Sequence, residues 1–251
     1  MAARARHNLT VLESETALAR ALADLVVGEA TAALAARGRF AIALAGGSTP
    51  KAAYTLLGRE YVQALDWTRV RFFFGDERCV APTDEQSNYR TARETLLGPL
   101  SIVDAHVFRM HGEIDPAHAA RAYADVLRHE LPAADDAVPI LDLVLLGMGP
   151  DGHTASLFPG TDPHTDDAEL VRAPYVATVA SYRLTLTPRA LNAGRIVAIA
   201  TAGAAKAAAL HAVFDGATDP TTHPIRVLAP RSGDLRWLVD RAAMADLEAR
   251  R

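Results

Sequence analysis

The stretch Ile140–Gly160, ILDLVLLGMGPDGHTASLFPG, constrains this chain more than any other. It opens with Ile140–Leu146, apolar at every position but Asp142 and bounded by Pro139 and Gly147. Such a run predicts a strand buried on both faces, the pattern of a parallel sheet. Gly147, Gly149 and Gly152, with Pro150 among them, then turn the backbone sharply and leave it bare. His153 follows at once, where the pattern predicts the next helix to begin. In open α/β sheets the ligand crevice lies outside the carboxyl ends of the strands. The sequence therefore sets a titratable ring, with backbone N–H groups beside it, where a ligand would lie.

The rest of the chain alternates in the same way. Leu18, Leu22, Leu25, Val26 and Leu34 have helical spacing between a Ser14 cap and Gly38. Strands are predicted at Phe40–Ala45, Val70–Phe74, Val107–Met110, Arg195–Thr201 and Leu235–Asp240, and β-like segments at Tyr175–Ala180 and Arg183–Thr187. Helices are predicted at Lys51–Leu57, Asn88–Leu97 (capped by Ser87), Pro116–Leu131, Gly203–Phe214 and Arg241–Arg251, with a short one capped by Thr187. Thr161–Leu170 is acidic and turn-rich, a solvated loop, and Ile225–Ala229 is ambiguous. This order predicts an α/β fold with a mainly parallel central sheet flanked by helices. Neither a repeat nor a long linker interrupts it, so residues 1–251 are expected to form one domain.

Composition narrows the function classes. Half the residues are hydrophobic and 22% are charged, an ordinary globular balance. The net charge of −4 argues against nucleic acid as a partner, since phosphate neutralisation needs clustered Lys and Arg. Cys79 is the only cysteine, so no intrachain disulfide can form and a reducing, cytoplasmic compartment is expected. No apolar run reaches transmembrane length, and the N-terminus has no apolar core of a signal peptide. Neither a membrane nor a secretory role is expected.

Gly147-x-Gly149-x-x-Gly152 formally matches a dinucleotide fingerprint, but Pro159-Gly160 stops the helix that motif requires. The acids it needs after the next strand, Asp166, Asp167 and Glu169, fall before that strand. Gly46-Gly47-Ser48-Thr49-Pro50 is the stronger anion site: two glycines admit close approach, two hydroxyls donate, and a helix begins there. It lacks the Gly-Lys-[Ser/Thr] ending of a Walker loop, and it also fits an ordinary strand–helix turn. Asp76, Glu77 and Arg78 form a charged knot just past a strand, which also fits an exposed loop. Cys79 would be a nucleophile only with a histidine partner. His106, His111, His118, His129 and His211 lack a glycine frame, no HExxH pair or cysteine cluster exists, and no metal is expected. There is no Gly-x-Ser-x-Gly elbow. Arg183 and Lys206 stand near strand ends and, with the Gly-Gly-Ser-Thr loop, could hold a phosphate dianion.

Taken together, AGGSTPKAAY, GDERCVAPTDEQSNY, LGMGPDGHTASLFPG, RLTLTPRALNAG and AGAAKAAAL resemble the 6-phosphogluconolactonase family in residues and in order. The blocks span Gly46 to Leu210, and the tail with Trp237 and Asp240 fits more loosely. One departure is Ala81, where the family often has proline, with Pro82 next. The resemblance implies a Rossmann-like sheet similar to that of glucosamine-6-phosphate deaminase. It implies cofactor-free hydrolysis of 6-phospho-D-glucono-1,5-lactone to 6-phosphogluconate, the second oxidative step of the pentose phosphate pathway. It further implies His153 as general base, and Gly46, Gly47, Ser48, Thr49, Arg183 and Lys206 on the phosphate side. Asp76, Arg78 and Asp151 match polar site residues, with Asp151 orienting His153 or capping a short helix. The oxyanion of the intermediate would meet Arg78 or the N–H groups of the Gly149–Gly152 turn. A monomer or weak homo-oligomer is expected.

Two rivals remain at this stage. An aminosugar-phosphate deaminase or isomerase would carry FNEP-like residues after the histidine and DEY near Asp76. This chain has Leu157-Phe158-Pro159-Gly160 and Asp76-Glu77-Arg78. A non-catalytic sugar-phosphate sensor would need Arg183 and Lys206 but not His153.

Overall fold

The computed structural model describes residues 8–133, 137–161, 168–216, 219–231 and 233–248. Six strands form the central sheet: β1 (Leu9–Leu12), β2 (Phe40–Leu44), β3 (Val70–Phe74), β5 (Leu143–Leu146), β9 (Ile196–Thr201) and β10 (Asp234–Asp240). Their order across the sheet is β1-β10-β9-β5-β2-β3, and every pairing is parallel. Parallel strands need crossovers, and helices supply most of them. These include α1 (Glu15–Arg37), α2 (Ser48–Glu60), α3 (Asn88–Ala92), α4 (Pro116–Glu130), α5 (Pro188–Leu191) and α6 (Ala207–Asp215), with α7 (Arg241–Glu248) after the last strand.

The apolar pattern accounts for the packing. Leu18, Leu22, Val26, Ala30 and Ala33 form one buried stripe of α1. Ser14 accepts the Ala17 N–H at one end of that helix, and Gly38 closes the other by donating to Leu34. Every residue of β2, β5 and β9 is buried, as strands covered by helices on both faces must be.

The connections place the site. From β2 the chain moves outward to β3, and from β5 it moves the opposite way to β9 and β10. The carboxyl ends of β2 and β5 therefore flank the topological switch point, where such sheets open a crevice.

Several sequence expectations need correction. β1 was not foreseen: its four residues are too few, and with Thr10 and Val11 exposed and only Leu9 and Leu12 partly buried they carry too weak an apolar signal. Helix α2 begins at Ser48, three residues before Lys51, because Pro50 is tolerated in a first helical turn. Asp76–Arg78 is a strand, β4, and not an open loop; it pairs antiparallel with β8 (Ser181–Leu186). β6 (Val171–Arg172) and β7 (Tyr175–Val176) also pair with β8, in a small layer beside the main sheet. Val107 makes only an isolated bridge to Phe72, where a strand was expected. No helix follows His153: Gly152 (φ 78) and Ala155 (φ 47) take left-handed conformations that end any helical run. A Thr154–Leu157 bridge forms there instead. The acidic stretch 162–167 lies outside the described residues.

Candidate active site

A cleft of about 200 Å³ opens at the switch point. Its walls include Gly46, Gly47, Ser48 and Thr49 after β2, and Asp76 and Arg78 from β4. Gly147–Gly149 and His153 after β5, Thr201 at the end of β9 and Lys206 beyond it also line the cleft. Segments separated by more than a hundred residues of sequence thus converge on one crevice.

His153 is held from several directions. Its Nδ1 lies 2.6 Å from Asp151 Oδ1, which also accepts its backbone N–H at 3.2 Å. The ring stacks on Phe158, with centroids 4.3 Å apart. An added Cβ at Gly149 would lie 2.1 Å from Nδ1, so only glycine leaves room for this imidazole. Gly152 combines its positive φ with contact against His223, whose ring would stand 2.5 Å from an added Cβ. No helix begins there for Asp151 to cap; its carboxylate bonds both the ring and the backbone N–H of His153. Burial raises the Asp151 carboxyl, but the charge of His153 and the hydrogen bonds around it hold it, on balance, below the usual carboxylate range.

The N–H groups of the turn are mostly spoken for. Gly149 donates to the His153 carbonyl and Gly152 to that of Gly149. With His153 N on Asp151 and no N–H on Pro150, little of the turn is left to meet an oxyanion. Arg78 donates from Nη1 to the Gln86 carbonyl and keeps other guanidinium hydrogens beside the cleft.

Asp76 is buried on the cleft floor. Its Oδ1 accepts Asn88 Nδ2 at 3.0 Å and its Oδ2 accepts Ser156 Oγ at 2.8 Å. Glu77 faces the other way and serves the fold. It accepts N–H groups of Arg78, Asn88 and Tyr89 and the Ser87 hydroxyl, tying β4 to the start of α3. Burial nonetheless pushes its carboxyl above the ordinary range.

The cations separate. Lys206 lines the cleft at the end of a 3-10 turn, Ala204–Lys206, ahead of α6. That turn is anchored by Asp240, whose Oδ1 accepts the Gly203 N–H at 3.0 Å. Burial lowers the Lys206 ammonium pKa, with Asp151 pulling the other way. Arg183 is not on the cleft wall. It lies on β8 opposite Arg78 in the ladder, and burial and the Arg78 charge both lower its pKa. Among the described residues, none of Arg78, Arg183 and Lys206 is ion-paired with a carboxylate. The first turn of α2 adds Ser48 and Thr49 with no side-chain cap at Gly47, a positive helix end left open to an anion.

The sequence reading missed Asn88, Ser156 and Phe158. Asn88 passed as an ordinary first residue of a helix, and Ser156 sits in a turn that was expected to be helical. Their partners come from other blocks, so no local pattern marks them. Among the described residues, no three His, Cys, Asp or Glu side chains are grouped to hold a metal ion. No helix there is long and apolar enough to cross a membrane.

This geometry has relatives. The chain is 38% identical to the 6-phosphogluconolactonase of Nostoc sp. over 96% of its own length and 99% of that protein. It is 36% identical to human 6-phosphogluconolactonase over 97% and 95% of the two chains. The solved 6-phosphogluconolactonase of Trypanosoma brucei superposes with a TM-score of 0.85 at 30% identity, covering 96% of this chain and 98% of that one. A monomeric glucosamine-6-phosphate deaminase shares the fold with a TM-score of 0.78 at 18% identity, over 95% and 99%. The family model for glucosamine-6-phosphate isomerases and 6-phosphogluconolactonase matches residues 13–237. With its cleft at the switch point and these relatives along nearly its whole length, the chain belongs to the glucosamine-6-phosphate isomerase/6-phosphogluconolactonase family.

Proposed function

We propose that this enzyme hydrolyses 6-phospho-D-glucono-1,5-lactone to 6-phospho-D-gluconate, with His153 as general base. The observation that carries the reading is the Asp151–His153 pair at the cleft wall. With Nδ1–H donating to Asp151, Nε2 keeps its lone pair for a water molecule. As that water attacks C1, Nε2 takes its proton and the carbonyl oxygen becomes an oxyanion, which Arg78 meets as hydrogen-bond donor. Collapse breaks the bond from C1 to the ring oxygen, and the imidazolium returns its proton to that leaving oxygen. The product carboxylic acid then ionises and releases one proton to solvent. A lactone is an activated ester, so a single base suffices for such a step.

Asp76, with both oxygens steadied by Asn88 and Ser156, accepts sugar hydroxyls. Gly46, Gly47, Ser48, Thr49 and Lys206 hold the 6-phosphate, with Arg183 adding positive potential from beside Arg78. The partner is a small phosphosugar, the working place is the cytoplasm, and no metal or other cofactor takes part. Phe158, stacked on His153, occupies the segment where a deaminase of this fold carries its acid.

Proton release from freshly made lactone, corrected for spontaneous hydrolysis, tests the reading. Rapid release with lactone and no ammonia from glucosamine 6-phosphate is the expected result. Ammonia release would assign the deaminase reaction, and binding without turnover of either would assign a sensor.

A further inference from the structure

The crevice exists because two neighbouring strands stop pairing. β2 and β5 are in register at Ile42–Leu143 and Ala43–Val144, and their ladder ends there. β2 continues on β3 as far as Leu44–Phe74, and β5 on β9 as far as Leu146–Ile199. The Leu44 carbonyl accepts the Gly75 N–H at 2.9 Å, on the β3 side. Peptide groups of successive strand residues face alternate sides, so the N–H and C=O of Ala45 face the gap that β5 has left. Both are buried groups that need partners.

One hydroxyl satisfies both. Tyr54 Oη accepts the Ala45 N–H at 2.9 Å and donates to the Ala45 carbonyl at 3.0 Å. Tyr54 is 1% exposed and stands on α2, the helix that the Gly46–Thr49 segment enters. We infer that Tyr54 is a positioning residue for the anion-binding wall: its hydroxyl ends the β2 ladder where the sheet splits and fixes the residue from which Gly46–Thr49 enters the cleft. The inference rests on the proposal that this wall holds the substrate's phosphate. Tyr123 supplies a matched comparison. Its hydroxyl accepts Phe74 N at 2.8 Å and donates toward Phe74 O at 3.2 Å, equally buried but on the outer side of β3. The parity follows from Phe72, whose carbonyl accepts Phe108 N on that outer side.

The test compares Tyr54→Phe with Tyr123→Phe. For each, kcat/KM is measured on the phosphorylated lactone and on unphosphorylated gluconolactone, together with thermal melting. Both variants should melt earlier, since each strands two buried peptide groups. Only Tyr54→Phe should lose selectivity for the phosphorylated substrate, by roughly 10-fold in the ratio and chiefly through KM. Thr49→Val and Lys206→Ala run alongside. If these lower the ratio and Tyr54→Phe does not, the inference is overturned. If none of the three lowers it, the phosphate reading itself has failed and the inference falls with it. Should Tyr54→Phe not fold, amide hydrogen exchange on the unaltered enzyme decides. Ala45 protected like Leu44 supports the inference, and Ala45 exchanging as fast as Gly47 overturns it.

Discussion

Asp151 Oδ1 sits 2.6 Å from His153 Nδ1, and the same oxygen takes the His153 backbone N–H. One carboxylate thus fixes the ring's rotation and its tautomer together, from two residues away in sequence. Its carboxyl is held below the usual range by His153, so it stays ionised well below neutral pH. The pairing is therefore present around neutral pH, where the proposed base would work, and it is lost as pH falls through the lowered carboxyl value.

From this pair follows an ordered series of losses. His153→Gln should lower kcat by roughly 10²–10⁴-fold, the usual cost of removing a general base. Asp151→Asn leaves the base but frees its ring, and should cost less than His153→Gln. Stopped-flow proton release with the uncatalysed rate subtracted measures both. Equal losses would give Asp151 a direct chemical part.

Gly149→Ala tests how tightly the ring is seated. The new methyl would lie 2.1 Å from His153 Nδ1 and 2.5 Å from Asp151 Oδ1, so the pair must part. A displacement of this kind costs about 100-fold in turnover. Melting should change far less than turnover does, because the clash falls on side chains at the cleft and not on the core. Full activity in Gly149→Ala would show that the pair is not needed.

The cations should differ from one another. Lys206 is on the cleft wall, and Arg183 stands beside Arg78 as its partner in the ladder. Losing a hydrogen bond to a charged group costs about 1.5–3 kcal/mol, or roughly 10–150-fold in kcat/KM. Lys206→Ala should show such a loss on the phosphorylated lactone, mostly in KM, and almost none on gluconolactone. Arg183→Ala should show a smaller phosphate-specific loss. A larger loss for Arg183 than for Lys206 would place the phosphate on the Arg78–Arg183 side.

Away from the cleft, Glu113 carries a pH signature. Its hydrogen bonds to Arg109 lower its pKa to about 2, and the pair is partly exposed at the surface. A depressed carboxyl contributes stability that is present above its unfolded pKa and lost as pH falls through the folded one. With solvent screening that contribution is about 0.5–1 kcal/mol. Glu113→Gln should therefore melt slightly earlier at pH 7 and match the parent enzyme near pH 2 wherever both remain folded. A gap that persists at the acid end would mean the side chain acts through packing.

Much of this enzyme is legible from local pattern. Unbroken apolar runs mark β2, β5 and β9, because a parallel sheet sandwiched between helices leaves no face for polar residues. Cap residues mark α1 and α4, since Ser14 and Asp115 bond to N–H groups within three positions. The glycines after β5 mark the turn and pick out His153 beside it, and the resemblance supplied the role of that histidine. All these signals are written within a few residues of one another.

What only the tertiary structure decided is whatever depends on partners far along the chain. That Asp76–Arg78 is a strand follows from β8, more than a hundred residues later. Asn88 and Ser156 matter because both reach Asp76, and Tyr54 because β5 leaves Ala45 unpaired. Arg183 and Lys206 look alike in sequence, yet only Lys206 lines the cleft. A residue's own neighbours fix its backbone preference, but the donor or acceptor it meets across the sheet is set by topology, which no local pattern encodes.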